Sequence, residues 1–354
     1  MYFDIKPKTN VEDLFGVNFL LSLLVNAIKD KKVRMIVIKG LRRTGKTSLL
    51  NVALKEAKID YIKIDIREAP YYDRAEFFEF LIAKLEEKYS KLKKLLEGAE
   101  IKIFYKDVGA GLKLKDKKTI SFLEELNTRL KKRNKQLIIA LDEAQLLRKI
   151  EFNQVLASIY DNYENIKLII TGSEIGILDG FIGKRDAKSP LFGRPYFEIE
   201  MKKLEKEKSA EFLERGFKQI NKQLELKEAE EIIEELDGII GWLTAYGWFR
   251  NQNINHRNAL MKTIEEGKKL AKEELSRFLD NRKARASYIF LLKLLAKNED
   301  SWGIIKNEFV RRRKKISDRQ LSLYIRELID YGFIEKDEDK YKISDPLHMR
   351  AVED

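Results

Sequence analysis

The stretch KGLRRTGKTSLL at residues 39–50 contains the residue types of a phosphate-binding loop. It matches the pattern G-x-x-x-x-G-K-[ST] at all of its fixed positions. The glycines let successive backbone N–H groups point inward at an anion, and a helix beginning near Lys46 adds the positive end of its dipole. The Lys46 ammonium reaches the outer phosphates, and the Thr47 hydroxyl is a hard oxygen ligand suited to Mg²⁺. We therefore predict a nucleotide phosphate site made of Gly40, Leu41, Arg42, Arg43, Thr44, Gly45, Lys46, Thr47 and Ser48.

Two adjacent carboxylates follow a second apolar run, LIIALDE at residues 137–143. In this interpretation Asp142 holds Mg²⁺ through water and Glu143 polarises the water that attacks the terminal phosphate. The alternative is that both are ordinary solvated carboxylates at a strand end, and this short pattern alone does not separate the two. Combined with a complete phosphate loop upstream, it predicts a site for Mg²⁺-dependent nucleotide hydrolysis.

The elements that must position these residues alternate between strand and helix patterns. Strand patterns occur at 33–38, 61–66, 136–145, 167–173 and 196–201, and helical patterns lie between them, including 48–58 directly after the loop and 74–97. This alternation predicts an α/β fold, a parallel sheet with helices on both faces. The alternative is a glycine turn that matches the pattern by chance, and the strand pattern before it and the helical pattern after it disfavour that alternative. Residues 101–115 alternate around Gly109 and Gly111 and predict an inserted hairpin.

Three domains are predicted, and the first ends where the strand patterns stop. The α/β domain covers residues 1–203, a helical lid covers 204–283, and a C-terminal domain covers 284–354. Residues 286–345 read as three helices and a hairpin, which resembles a winged helix. Ser317 and Gln320 predict a capping box at the start of the third helix, and Gly332 predicts its end.

Five motifs carry a resemblance to a known family. GLRRTGKTSLL, LDEAQLL, IITGSEIGIL, PLFGRPYFEIEMKKL and LDGIIGWLTAYG occur in the order seen in the archaeal ATPases, a branch of the AAA+/STAND P-loop NTPases. The chain resembles that family over about residues 12–250 and more loosely to its C-terminus. The resemblance implies ATP or ADP as the nucleotide, Mg²⁺ as the cofactor and slow ATP hydrolysis. It also implies a sheet in which the strand of Glu143 is not next to the strand that follows the phosphate loop.

The resemblance also assigns roles to individual residues. Thr171 is expected to sense the γ-phosphate or to orient water, with Ser173 as the reserve candidate. Arg194 resembles an arginine that approaches the nucleotide, either of its own subunit or of a neighbour, and a plain surface arginine is the alternative. Phe15 and Gly16 are expected to cover the base, although Val17 and Asn18 replace the Arg-Glu pair usual in the family.

A further departure concerns the predicted adenine wall. Ile240 stands where the family has a proline that lines the adenine pocket. An isoleucine can fill that wall, so Ile240 stays in the predicted site. The aromatic residues beyond it are expected in the core of the helical lid: Trp242, Tyr246, Trp248 and Phe249.

The charge pattern leaves the partner open. A net charge of +12 is compatible with nucleic acid, and Lys- and Glu-rich surfaces without cysteine are also typical of proteins from hot habitats. Residues 306–326 carry eight basic side chains against two acidic ones, where a helix-turn-helix would meet phosphates. The proposed wing is acidic, and winged helices also dock proteins. The candidate DNA-contacting residues are Arg311, Arg312, Arg313, Lys314, Lys315 and Arg319.

Several classes of protein are disfavoured by composition. The chain has no cysteine, and only His256 and His348 supply imidazoles, so neither disulfides nor a zinc centre are expected. The N-terminus lacks the pattern of a signal peptide, and no apolar run approaches the length of a membrane span. We expect a cytoplasmic ATPase switch, and oligomers are possible. The alternative is a DNA-binding regulator whose nucleotide is structural and is not turned over.

Overall fold

The computed structural model describes residues 1–69, 73–93, 113–184, 186–280, 282–312 and 316–353. Within those ranges no helix has both the length and the apolar character needed to cross a membrane. The hairpin predicted at 101–115 lies almost entirely outside the described residues. Its last three residues, 113–115, begin a helix instead.

The centre of the fold is a five-stranded parallel sheet in the order β2-β3-β4-β1-β5. All five predicted strands are present, within three residues of their predicted bounds. The strands are β1 (Met35–Gly40), β2 (Asp60–Asp65), β3 (Leu137–Asp142), β4 (Ile166–Gly172) and β5 (Phe197–Met201).

The unbroken apolar runs are explained by cores on both faces of the sheet. In β1, Met35 and Val37 pack into one core while Ile36 and Ile38 pack into the other. Side chains alternate along a strand, so a strand buried on both faces needs apolar residues at every position. The helices that cover the two faces are α1 (Asn18–Lys29), α2 (Lys46–Ala57), α3 (Arg74–Lys93), α4 (Lys113–Lys132), α5 (Asn153–Asn162) and α6 (Ile175–Phe181).

The expectation about strand neighbours is wrong. β2, the strand that follows the phosphate loop, pairs directly with β3, with Asp65 opposite Asp142. The strand that β3 does not touch is β1, which precedes the loop, because β4 lies between them. The carboxyl end of β2 therefore lies beside Asp142 and Glu143.

A helical region follows the sheet, as the sequence predicts. It consists of α7 (Lys206–Gln219), α8 (Leu226–Leu236), α9 (Ile240–Asn251) and α10 (His256–Leu279). Trp242, Tyr246 and Phe249 are buried in its core, and Trp248 is partly buried against it, which confirms the expectation for these aromatic residues. The N-terminal residues Tyr2 and Phe3 also pack in this core.

The C-terminal segment combines helices with a small antiparallel sheet in the order β6-β8-β7. The capping box of Ser317 and Gln320 is present, and Gly332 follows the third helix with φ +76°. A short strand and a last helix were not predicted. The elements are α11 (Arg285–Leu295), β6 (Asp300–Ser301), α12 (Trp302–Arg311), α13 (Asp318–Asp330), β7 (Ile334–Asp337), β8 (Lys340–Ile343) and α14 (Pro346–Glu353).

Candidate functional site

The phosphate loop runs from the end of β1 to the first turn of α2. A Cβ at Gly40 would lie 2.2 Å from the carbonyl oxygen of Met201, so the close approach of β5 requires a glycine there. Gly45 has φ +92°, a conformation that side chains disfavour, and its backbone leads directly into Lys46. The local sequence thus produces a sharp turn whose N–H groups open onto a helix N-terminus, which is the geometry that binds phosphates.

Lys46 lies buried at the centre of this loop. Its ammonium donates to the carbonyl oxygens of Gly40 at 2.9 Å and Leu41 at 2.7 Å. Burial lowers the pKa of Lys46 to about 8, against the opposing charges of Glu143 and Asp142. The loop therefore holds a cation that is poorly solvated, and an anionic ligand would stabilise it.

Asp142 is fully buried and accepts hydrogen bonds from two threonines. The Thr47 hydroxyl donates to one carboxylate oxygen at 2.9 Å, and the Thr171 hydroxyl donates to the other. The ammonium of Lys63 lies 3.6 Å from the carboxylate. A hydroxyl and a carboxylate side by side at the phosphate loop are the hard oxygen ligands that suit Mg²⁺, so the residues present fit this ion.

Glu143 is held by several donors in an unusual backbone conformation. Its φ is +59°, and its carboxylate accepts from the hydroxyl of Ser173 at 2.6 Å and from the side-chain amide of Gln145 at 2.7 Å. Burial alone would raise the pKa of Glu143, but the Lys46 charge and these hydrogen bonds hold that pKa below its ordinary value. Glu143 is therefore ionised at neutral pH, as an acceptor for a water proton must be.

The two predicted sensor candidates make different contacts. The Thr171 hydroxyl bridges Asp142 and the backbone N–H of Glu143, the latter at 3.2 Å. Ser173 contacts the Glu143 carboxylate through both its hydroxyl and its backbone N–H. Both residues lie at the carboxyl end of β4, where the structure brings together Lys46, Thr47, Asp142, Glu143 and Thr171.

Arg194 is not brought to the loop by this chain's own fold. Its guanidinium pairs with Asp161 at 2.5 Å and also donates to the carbonyl of Pro190. This ion pair belongs to α5 and the segment before β5, outside the phosphate loop. An approach of Arg194 to a nucleotide therefore stays a prediction.

The residues predicted to cover the base lie against the helical region, and Ile240 among them also lies near the loop. A Cβ at Gly45 would lie 3.8 Å from the side chain of Ile240, so Ile240 does stand beside the loop. The ring of Phe15 packs edge-on against Phe212 in the core of the lid, at 5.4 Å between centroids. Gly16 has φ +70° next to Leu204.

The two loop arginines have partners that the sequence did not indicate. Arg42 pairs with Glu174 at 2.8 Å, and Arg43 pairs with Glu274 of α10 at 2.8 Å. Burial would raise the pKa of Glu274, but the hydrogen bond from His348 and the charges of Arg42 and Arg43 lower it to about 2. No local pattern marks Glu274, because its partners are remote in the sequence.

With the site described, the comparisons with known proteins identify the family. Residues 20–245 match the family model of an ATPase domain found predominantly in Archaea. The chain belongs to this archaeal ATPase family. It is therefore a nucleotide-binding, ATP-hydrolysing enzyme of the P-loop class.

Solved structures similar to this archaeal ATPase agree with that assignment. A Walker-type ATPase of Pyrococcus abyssi is 31% identical, with a TM-score of 0.80 and full coverage of both chains. The ORC2 protein of Aeropyrum pernix, described in complexes with ADPNP and ADP, is 13% identical with a TM-score of 0.59, covering 99% of this chain and 96% of that one. The second likeness concerns the fold alone. A search of curated proteins finds no match.

Proposed function

We propose that this archaeal ATPase is a Mg²⁺-dependent switch in which the nucleotide on the phosphate loop controls the docking of the C-terminal segment. One observation carries the proposal: both arginines of the loop are bonded to residues outside the α/β domain. Arg43 pairs with Glu274, which lies on α10, and Arg42 approaches the carbonyl oxygen of Tyr331 at 3.5 Å. A change at the loop is therefore a change at the contacts that hold the lid and the C-terminal segment in place.

The chemistry at the loop is assigned to four side chains. Lys46 binds the outer phosphates, and Thr47 and Asp142 would hold Mg²⁺, which shields phosphate charge during hydrolysis. Glu143 accepts hydrogen bonds from the attacking water and orients it. Thr171 fixes the Asp142 carboxylate, because its hydroxyl donates to it directly.

Glu274 is the centre of the contact between the loop and the remote elements. Its carboxylate meets Arg43 at 2.8 Å, Arg42 at 3.7 Å and His348 of α14 at 3.0 Å. All four groups are largely buried, so the loss of one cation would leave charge unpaired in a poorly solvated place. The cluster is thus sensitive to any anion that competes for the two arginines.

Two further contacts attach the remote elements to the loop. The Arg43 guanidinium stacks on the ring of Trp242 at 4.2 Å, and the Trp242 ring N–H donates to Asp345 at 3.0 Å. The C-terminal end of α13 packs against α6, where a Cβ at Gly176 would lie 2.6 Å from the Cα of Asp330. Asp330 and Asp345 belong to the C-terminal segment, so that segment reaches the loop from two sides.

A variant of Glu143 tests the hydrolytic part of the proposal. Glu143→Gln keeps the shape but loses the acceptor charge, so hydrolysis should fall by about 10²–10⁴-fold. ATP affinity should change little, because the loop and the Asp142–Thr47 pair remain. Asp142→Asn should instead weaken the Mg²⁺ dependence of nucleotide binding. Hydrolysis by Glu143→Gln at the wild-type rate would show that the assignment of Glu143 is wrong.

DNA contact through the C-terminal segment is a second candidate function. We interpret this segment as a winged helix, and Arg312 and Arg319 are exposed beside its proposed helix-turn-helix. Arg311 is 71% exposed although it pairs with Glu308. Residues 313–315 of the predicted basic cluster lie outside the described residues. On the wing, Lys342 is paired with Asp337, which leaves little free positive charge there.

Salt dependence distinguishes DNA contact from protein docking. Neutralising Arg311 and Arg312 should weaken binding to unrelated duplexes and flatten the salt dependence, by up to about one logarithmic unit of slope for each phosphate group that is no longer neutralised. An unchanged slope would assign this surface to a protein partner. The exposed apolar side chains of Val310 on α12 and Leu323 on α13 would suit such a partner.

A further inference from the structure

The carboxyl end of β2 brings an arginine to the catalytic edge of the sheet. Asp65 lies opposite Asp142 in the paired strands β2 and β3, and the next residue, Ile66, donates its backbone N–H to the carbonyl oxygen of Asp142 at 3.0 Å. Arg67 follows directly. Its backbone is therefore tied to the same strand end that carries Asp142 and Glu143.

Asp65 holds the Arg67 side chain at this edge. The guanidinium donates to the two Asp65 oxygens at 2.9 and 2.5 Å, and the Arg67 backbone N–H donates to the same carboxylate at 3.0 Å. The Arg67 side chain is nevertheless 59% exposed. It is oriented by a neighbour but not enclosed, so it remains accessible to a ligand that enters the loop.

The charge of Arg67 acts on the groups that carry the proposed chemistry. Burial is the main cause that lowers the pKa of Lys46, and the charges of Arg42 and Arg67 lower it further. The hydrogen bonds that Arg67 donates to Asp65 raise the pKa of Arg67, and the negative charges of Asp65, Glu143 and Asp142 raise it further. Arg67 thus lies within electrostatic reach of Lys46, Asp142 and Glu143, which surround the outer phosphates in the proposed function.

Arg67, Arg42, Arg43 and Arg194 are all ion-paired, and among them Arg67 is the one whose partner, Asp65, lies opposite Asp142 in the sheet. Arg42 is paired with Glu174, Arg43 is paired with Glu274, and Arg194 is paired with Asp161. A planar guanidinium with several donors stabilises the charge that develops on the transferred phosphoryl group.

We propose that Arg67 is a catalytic arginine supplied within the subunit, which contacts the terminal phosphate of ATP and stabilises its charge during hydrolysis. In the step itself, a water oxygen bonds to the γ-phosphorus, the bond to the β–γ bridging oxygen breaks, and Glu143 receives the water proton. Arg67 exchanges no proton and acts through its hydrogen bonds and charge. The inference rests on the proposed site around Lys46 and Glu143.

The test compares Arg67→Ala with Arg67→Lys under saturating ATP and Mg²⁺. Arg67→Ala should lower the hydrolysis rate by about 10²–10³-fold, and Arg67→Lys should recover only part of it because an ammonium lacks the planar fork. ADP affinity should stay within a few-fold of wild type. ADP with aluminium fluoride, which mimics the transferred phosphoryl group, should lose its tight binding to Arg67→Ala.

A control arginine and the Glu143 variant make the outcome decisive. Arg129→Ala removes a comparable ion pair, with Glu125 on α4, and should leave hydrolysis unchanged. If Glu143→Gln slows hydrolysis while Arg67→Ala does not, the role of Arg67 is overturned and the site stands. If neither variant slows hydrolysis, the proposed site itself is wrong. If Arg67→Ala does not fold, Arg67→Lys is used as the test variant. A wild-type hydrolysis rate and an unchanged affinity for ADP with aluminium fluoride in Arg67→Lys would then overturn the proposal.

Discussion

At the scale of single residues, the position of the Glu143 carboxylate depends on the hydrogen-bond donors that contact it. Ser173 contributes a hydroxyl at 2.6 Å and a backbone N–H at 3.2 Å, and Gln145 contributes an amide. Glu143 also sits at φ +59°, a backbone conformation that non-glycine residues adopt at a cost. These contacts fix where its carboxylate points, so Ser173 is expected to position the residue that orients the water.

Replacing Ser173 by alanine tests this positioning role. The hydrolysis rate at saturating ATP should fall by about tenfold or more, since a hydrogen bond to a charged group contributes about 1.5–3 kcal/mol. ADP affinity should be retained, because the hydroxyl that the substitution removes is bonded to Glu143. Steady-state kinetics together with ADP titration checks the prediction, with Ser158→Ala on α5 as the control. A loss of ADP affinity equal to the loss of rate would indicate a structural role instead.

At the scale of elements, the strand order decides which residues meet at the catalytic edge. The motifs at 39–50 and 137–143 are local patterns, so Lys46, Thr47, Asp142 and Glu143 could be identified from sequence. The strands were also predictable, because an unbroken apolar run indicates a strand that is buried on both faces of a sheet. The pairing of β2 with β3 depends on the whole sheet, and the prediction for it was wrong. The sequence therefore did not indicate that Arg67 lies near Asp142 and Glu143.

Helix α6 contains a matched pair of glycines, Gly176 and Gly180, that test how closely the end of α13 packs against it. A Cβ at Gly176 would lie 2.6 Å from the Cα of Asp330, whereas a Cβ at Gly180 would meet nothing within 4 Å. Gly176→Ala should therefore displace the C-terminal end of α13, while Gly180→Ala should be neutral or stabilise the helix by up to about 1 kcal/mol. Limited proteolysis and thermal unfolding of both variants check this. Equal behaviour of the two proteins would contradict the close packing at Gly176.

At the scale of the whole molecule, the phosphate loop is the meeting point of three parts of the chain. Glu274 of the helical region and His348 of the C-terminal segment form one buried cluster with Arg42 and Arg43 of the loop. The sequence predicted the three parts but not this cluster, because ion pairs between residues remote in sequence leave no local pattern. In the proposed switch, phosphate charge at the loop would compete with Glu274 for the same guanidinium groups, and the nucleotide would thereby act on a distant surface.

The measurement that tests the central claim is hydrogen exchange of the C-terminal segment in the two nucleotide states. Glu143→Gln protein is loaded with ATP or with ADP, and exchange is followed in residues 330–332 and in α14. The extra charge of the γ-phosphate should weaken the Arg42 and Arg43 contacts with Glu274, so both regions should exchange faster with ATP than with ADP. Lys46→Ala, which removes the phosphate anchor, should show no difference between the nucleotides. Identical exchange in the ATP-bound and ADP-bound Glu143→Gln protein, with both nucleotides shown to be bound, would contradict the switch.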